Sequence, residues 1–301
     1  MASVKSWISA LRPRTLFLAT ATALSGSGIA YSNGKLSILV LILTISIANI
    51  LQLLSNMAND LGDYEHGTDT TGERVGPQRT VQSGAITPKQ MKKAIYIAIG
   101  LAAVVGSLLV CVALQFMELK YILIFLGLGG ASIVAAIKYT AGENPYGYKG
   151  LGDIFSFVFF GLVSVVGTYF LHMHQLDFIP WLPAIGLGLL TVCVLNLNNM
   201  RDINNDRKSG KITIPVRIGL KNAKLYHAAL TIGALICFIV YSLIYTEHWY
   251  QYLYLLSFIF FIKILIDIFR ISENRELDPY LKYTSMGTFV LSVCFCICIN
   301  L

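Results

Sequence analysis

Residues 51–69 read LQLLSNMANDLGDYEHGTD. An apolar run that begins near residue 36 enters this stretch and turns acidic within a turn or two. Asn59 and Asp63 are spaced i, i+4, and Asp60 and Asp63 i, i+3, so on a helix they share a face. Like charges at that spacing repel, so something cationic must offset them. Residues 196–206, NLNNMRDINND, repeat the pattern at the end of a second apolar run. There Asn198, Asp202 and Asp206 stand at i, i+4 and i+8 and form one stripe. A basic, Gly-containing segment follows each cluster: RVGPQR at 74–79 and RKSGK at 207–211. The shared pattern predicts a degenerate four-helix repeat.

The rest of the chain sets these clusters at a membrane. Charged residues are 13% of the 301 and hydrophobic ones 55%, against roughly 25% charged in soluble domains. That is too little charge to cover a soluble surface, and it excludes disorder and a disulfide scaffold. Nine apolar runs are long enough for a bilayer. They lie at about 15–31, 36–58, 91–115, 119–139, 153–172, 180–199, 224–247, 250–271 and 280–301. No β-strand alternation is present, so the expectation is an all-α membrane protein of nine transmembrane helices, forming one domain over 1–301. With nine spans, 21 of the 23 Lys and Arg fall on one side, leaving only Lys35 and Lys120 opposite. Lys and Arg mark the cytoplasmic side. The N-terminus is therefore expected in the cytoplasm, the C-terminus outside, and both acidic clusters on the cytoplasmic face of the inner membrane. Val4, Trp7, Ile8 and Leu11 lie on one helical face, predicting an interfacial helix over 1–13 that stops at Pro13.

Other features read as structural. The six Cys all fall within spans and fit buried apolar side chains. His172 and His174 read as an exposed outer loop. Gly26, Gly28 and Gly127-Leu-Gly129-Gly130 read as sites of close helix packing.

Carboxylates starting at membrane depth are costly and mark function. Pairs of them beside Arg and Lys suit a diphosphate bound with Mg2+. That ion takes one or two protein carboxylates and fills its shell with phosphate oxygens and water, while Arg and Lys take the remaining phosphate charge.

The two clusters resemble the two Asp-rich motifs of the UbiA superfamily of intramembrane aromatic prenyltransferases. The second motif is complete as Asn198, Asp202 and Asp206. The first reads Asn59, Asp60, Asp63 and then departs: Gly67 stands where the last Asp is expected, and Asp69 follows. Arg12-Pro-Arg14-Thr-Leu, Gly-Pro-Gln-Arg79, Lys138-Tyr139-Thr and Asn144-Pro-Tyr-Gly-Tyr148-Lys-Gly-Leu-Gly-Asp153 extend the resemblance over the whole chain, towards the menaquinone branch. It implies nine helices around a central cavity open to lipid, and a Mg2+ cofactor. It implies a long polyprenyl diphosphate as donor and 1,4-dihydroxy-2-naphthoate as acceptor, with loss of CO2. The bilayer is the other expected partner; no nucleic acid is expected.

On this reading Asn59, Asp60, Asp63, Asp69, Asn198, Asp202 and Asp206 hold the metal. Arg79, Lys138, Arg207 and Lys211 bind the diphosphate. Tyr139 stabilises the allylic cation, with Tyr146 and Tyr148 as further candidates. Arg14 and Tyr148 are the acceptor-binding candidates. Two other classes stay open: another Mg2+-dependent membrane transferase, and a transporter with an ion site at a repeat interface. Within the family, 4-hydroxybenzoate remains an alternative acceptor.

Overall fold

The computed structural model describes residues 2–68, 76 and 78–301. Asp69 and Arg74 lie outside the described residues. Every regular element among the described residues is a helix, and none is a strand. The first helix, α1 (Val4–Leu11), is capped by the Ser3 side chain accepting from the Ser6 amide. It ends at Arg12, whose φ is +50°, and Pro13 opens a separate 3-10 turn. Val4 and Ile8 are exposed while Trp7 and Leu11 pack inward.

Then follow α2 (Leu16–Ser32), α3 (Ile38–Glu65), α4 (Pro88–Leu114) and α5 (Leu119–Lys138). The second half comprises α6 (Gly152–Met173), α7 (Trp181–Arg201), the short α8 (Ile203–Lys208), α9 (Ile214–Tyr245), α10 (Trp249–Arg270) and α11 (Asp278–Cys298). Eight of these elements, α3 to α7 and α9 to α11, are long and apolar enough to cross a membrane. The first expected span, α2, has 17 residues and follows directly on the 3-10 turn. Three spans depart from regular geometry. The α6 helix is π-helical over Phe157–Val166, and α10 opens as 3-10 over Trp249–Ser257. The α9 helix starts ten residues before its apolar run, at Ile214, and breaks at Gly219, whose φ is +79°. Its charged first turns, with Lys221 and Lys224, hide that start from a hydropathy reading.

Eight of these helices pack as a connected set. The α2 helix packs against α3, α6 and α11; α7 packs against α6, α9 and α11; α5 packs against α3 and α4. One core lies at the end of the bundle away from the acidic clusters. Phe238 stands 5.7 Å from Tyr254, 5.9 Å from Phe258 and 5.3 Å from Phe295, ring to ring. Tyr254 donates to the Phe238 carbonyl at 2.9 Å, so its hydroxyl is satisfied in the apolar interior. Two smaller cores back the acidic clusters. Met57, Leu61, Val81, Ile86 and Met91 lie behind the first, and Leu197, Met200, Ile268 and Leu277 behind the second. His172 is not an exposed loop residue, as its sequence position had suggested. It is buried, with Nε2 3.0 Å from the Ser27 hydroxyl and Nδ1 accepting from the Ser37 amide. It ties the α2–α3 turn to the end of α6.

Candidate active site

The loop after α8 joins the two halves of the site. The Lys211 amide donates to the Asp206 carbonyl at 2.8 Å, and the Ile212 amide to the Tyr148 carbonyl at 2.9 Å. Pinned on both sides, the loop turns the Lys211 side chain inward, where it is 5% exposed. Its Nζ lies 3.7 Å from Asp63 Oδ1, 5.3 Å from the Tyr148 ring centre and 5.9 Å from that of Tyr139. Burial works to lower the Lys211 pKa, but the charges of Asp63 and Asp206 outweigh it and hold the ammonium above its usual range.

Asp63 is buried in the last turn of α3 and gathers three partners, two donors and one ion pair. Arg79 Nη2 lies 2.8 Å from its Oδ2, and the Tyr148 hydroxyl donates to its Oδ1 at 3.0 Å; Lys211 is the third. A charge-assisted set of this kind compensates a carboxylate that burial would otherwise penalise. Burial, with the Asp63 charge added, pushes the Tyr148 phenol up, so it stays a donor. Tyr148 also bonds Thr68.

Gly62 makes this approach of α3 to α5 feasible. A Cβ there would stand 2.6 Å from the Thr140 carbonyl oxygen. With none, the Thr140 hydroxyl donates to Asn59 Oδ1 at 3.0 Å, setting Asn59 beside Tyr139. Asp60 points elsewhere. Its Oδ2 accepts from the Thr80 hydroxyl at 2.6 Å and the Thr80 amide at 3.2 Å, and its Oδ1 from the Val81 amide at 3.2 Å.

At the second cluster, main-chain bonds from Asp202 to Asn198 and from Asp206 to Asp202 carry the i, i+4 spacing across the α7–α8 junction. Arg201 embraces Asp202 bidentately, at 3.0 Å and 2.6 Å. The same guanidinium donates to Asn198 Oδ1 at 2.9 Å and to Asp278. Asp278 in turn lies 3.7 Å from Arg14. Arg201 and Asp278 are the site residues that motif reading missed. Arg201 stands in plain view beside Asp202; Asp278 is remote in sequence and no local pattern marks it.

A cavity of about 520 Å3 runs down the bundle from these clusters. Its polar end is lined by Asn59, Asp63, Arg79, Tyr139, Asn198 and Lys211, with Arg14 on the flank. Most of its length is apolar, lined by α4, α5 and α6 residues such as Val110, Phe125 and Phe159. Tyr146 stacks on Phe155 at 4.0 Å and meets Tyr139 edge-on at 5.5 Å, giving one aromatic wall. Asp60, Tyr148, Asp202 and Asp206 do not line the cavity, and all three of these carboxylates are buried. Lys138 and Arg207 are exposed and do not line the cavity.

No three Asp, Glu, His or Cys side chains converge into a closed metal site among the described residues. Asp63 and Asp206 flank Lys211, and Asn59 and Asn198 add amide oxygens that keep a second lone pair. Hard oxygen donors that do not close a cage fit Mg2+, which fills its shell with phosphate and water. The donor set therefore fits a Mg2+–diphosphate better than a bare ion.

A membrane-type helical bundle whose apolar cavity ends in Asp63, Arg79 and Lys211 is of the class that takes up anionic-headed lipids. The chain belongs to the UbiA prenyltransferase family, whose model matches residues 19–285. It is 42% identical to the 1,4-dihydroxy-2-naphthoate octaprenyltransferase of Escherichia coli K12 over 97% of this chain and 94% of the relative. It is 41% identical to the Haemophilus influenzae protein of the same name, again over 97% and 94%. Among solved structures, a UbiA homolog from Aeropyrum pernix K1 shares the fold with a TM-score of 0.67 at 16% identity, covering 94% of this chain and 98% of that one. One from Archaeoglobus fulgidus, bound to GPP and Mg2+, gives 0.63 at 16% identity over 96% and 99%.

Proposed function

We propose that the protein transfers a long all-trans polyprenyl group from its diphosphate to 1,4-dihydroxy-2-naphthoate, releasing CO2 and diphosphate and giving demethylmenaquinol. The single observation that supports this most is the cavity: Asp63, Arg79 and Lys211 at one end, an apolar length beyond. The relatives' names supply the acceptor and suggest an octaprenyl donor.

On this reading residues 1–301 form one unit of nine spans, with α2 the first, in the cytoplasmic membrane with the site facing the cytoplasm. Asp63 with Asn59 on one side and Asp202 and Asp206 with Asn198 on the other would hold Mg2+, together with Asp69. The metal, when bound, neutralises charge on the leaving diphosphate. Lys211 and Arg79 share that task through charge-assisted contacts. Lys138 and Arg207, both exposed, would guide the anionic head at the mouth. Asp60 anchors the Thr80–Val81 loop that carries Arg79, so its part in the site is indirect.

Breaking the allylic C–O bond leaves its electron pair on the diphosphate and a cation on carbon. Tyr139, with Tyr146 and Phe155 behind it, presents aromatic faces to that cation in a space that excludes water. The acceptor ring forms the new C–C bond. The electron pair of the ring–carboxylate bond then restores aromaticity as CO2 leaves. Arg14, half-exposed on the flank, would hold the acceptor carboxylate, and Tyr148 acts by orienting Asp63.

Product analysis by mass spectrometry tests this. Purified protein would receive an octaprenyl diphosphate, Mg2+ and either 1,4-dihydroxy-2-naphthoate or 4-hydroxybenzoate. The expected product is the decarboxylated, prenylated naphthoquinol. Prenylated benzoate alone would overturn the acceptor, and no product from either would overturn the reaction.

A further inference from the structure

The acidic end of the cavity accounts for only part of its polar lining. A second polar seam crosses the wall from α3 to the 3-10 turn after α1 and on to α11. Thr15 Oγ1 donates to the Arg12 carbonyl at 3.0 Å, so it can only accept from Asn56 Nδ2 at 2.8 Å. The same Nδ2 donates to the Leu11 carbonyl, also at 2.8 Å. A carbonyl has no proton to give, so the Asn56 amide is fixed with its oxygen turned away from these partners. That oxygen accepts from Gln52 Nε2 at 3.0 Å. The Gln52 amide is fixed in its turn, and its Oε1 accepts no hydrogen bond from the described residues. Beside this chain, the Ser285 hydroxyl donates to the Arg14 carbonyl at 2.9 Å, tying α11 to the same turn.

Gln52, Asn56, Asn59 and Asp63 all line the cavity. Their spacing places them on one face of α3. Gln52 lies two turns below Asn59, roughly 10 Å along the helix. It therefore offers one oriented hydrogen-bond acceptor at a depth separated from the diphosphate end by about the space of a fused aromatic ring.

We propose that Gln52 is a specificity residue for the aromatic acceptor, its Oε1 receiving a ring hydroxyl of the hydroxyarene while Arg14 takes the carboxylate. An apolar side chain would leave the proton of a buried ligand hydroxyl unpaired. A fixed carbonyl oxygen selects for O–H on the ring. The inference rests on the proposed acceptor class and adds the group that reads its hydroxyl.

The test compares wild type with Gln52→Leu, using 1,4-dihydroxy-2-naphthoate as acceptor and the 1-hydroxy and 4-hydroxy analogues of 2-naphthoate as competitors. Wild type should bind one of the monohydroxy compounds about tenfold more weakly than the dihydroxy acceptor, the loss of one buried hydrogen bond. The variant should bind the dihydroxy acceptor about tenfold more weakly and no longer distinguish it from that analogue, with KM for the polyprenyl diphosphate unchanged. Undiminished discrimination by the variant, or a parallel rise in the diphosphate KM, would overturn the proposal. Gln52→Met, close in length, gives the same readout if the leucine variant does not fold. A wild-type protein that prenylates no naphthoate would instead sink the proposed function, and this inference with it.

Discussion

Lys211 Nζ stands 3.7 Å from Asp63 Oδ1, and through this pair the loop after the second acidic cluster closes onto the first. Both residues are buried, and Asp63 also receives Arg79 at 2.8 Å. The contact places a buried cation where the two carboxylate stripes need one.

Replacing that cation should cost turnover more than folding. Lys211→Met leaves Asp63 its bonds to Arg79 and Tyr148. Loss of one preorganised charge at a leaving group lowers kcat by about 100- to 1,000-fold in comparable sites. The prediction is a fall of that order with the melting temperature nearly unchanged. A kcat within threefold of wild type would remove Lys211 from the diphosphate site.

Asp60 should behave as a loop anchor. Asp60→Ala orphans the Thr80 and Val81 donors, each worth about 1–3 kcal/mol when left buried and unpaired. Thermal unfolding in detergent should show the loss equally with Mg2+ and with EDTA. A deficit seen only with Mg2+ would return Asp60 to the metal.

Arg201 and Asp278 should be coupled. Arg201→Lys cannot reproduce the bidentate hold on Asp202 while reaching Asp278 and Asn198. A double-mutant cycle with Asp278→Asn should give an interaction energy of about 0.5–3 kcal/mol in stability. Additive effects would mean that the contact carries no energy.

At Tyr139 the ring should matter more than the hydroxyl. Tyr139→Phe keeps an aromatic face, and Tyr139→Leu removes one worth about 0.5–2 kcal/mol to a nearby cation. The leucine variant should therefore lose kcat by a further factor of about 2 to 30. Equal activity in the two would assign Tyr139 to packing.

Much of this site was legible because charge is rare in the chain. With 16 Asp and Glu in 301 residues, Asn59, Asp63, Asn198, Asp202 and Asp206 stood out by position alone. So did the apolar runs, since length and hydropathy decide a span. What the sequence could not show depended on side-chain direction. Asp60 and Asp63 share a helical face, but the Thr80–Val81 turn captures the first and the cavity the second. Asp278 joins Arg201 and Arg14 only through packing of α11 beside α2. His172 reads as a loop residue because its two partners, Ser27 and Ser37, lie far away in the chain. Lys138 and Lys211 looked alike as basic candidates for the diphosphate; the main-chain bonds of 211 and 212 turn Lys211 inward.

The central claim is that the two carboxylate walls take up an allylic diphosphate together with Mg2+. Calorimetric titration with an allylic diphosphate analogue whose C–S bond does not ionise measures this without turnover. Wild type should bind it with Mg2+ and lose binding in EDTA, and Asp63→Asn and Asp202→Asn should each weaken the Mg2+-dependent binding. Equal affinity with Mg2+ and with EDTA, or binding untouched by either substitution, would contradict the account.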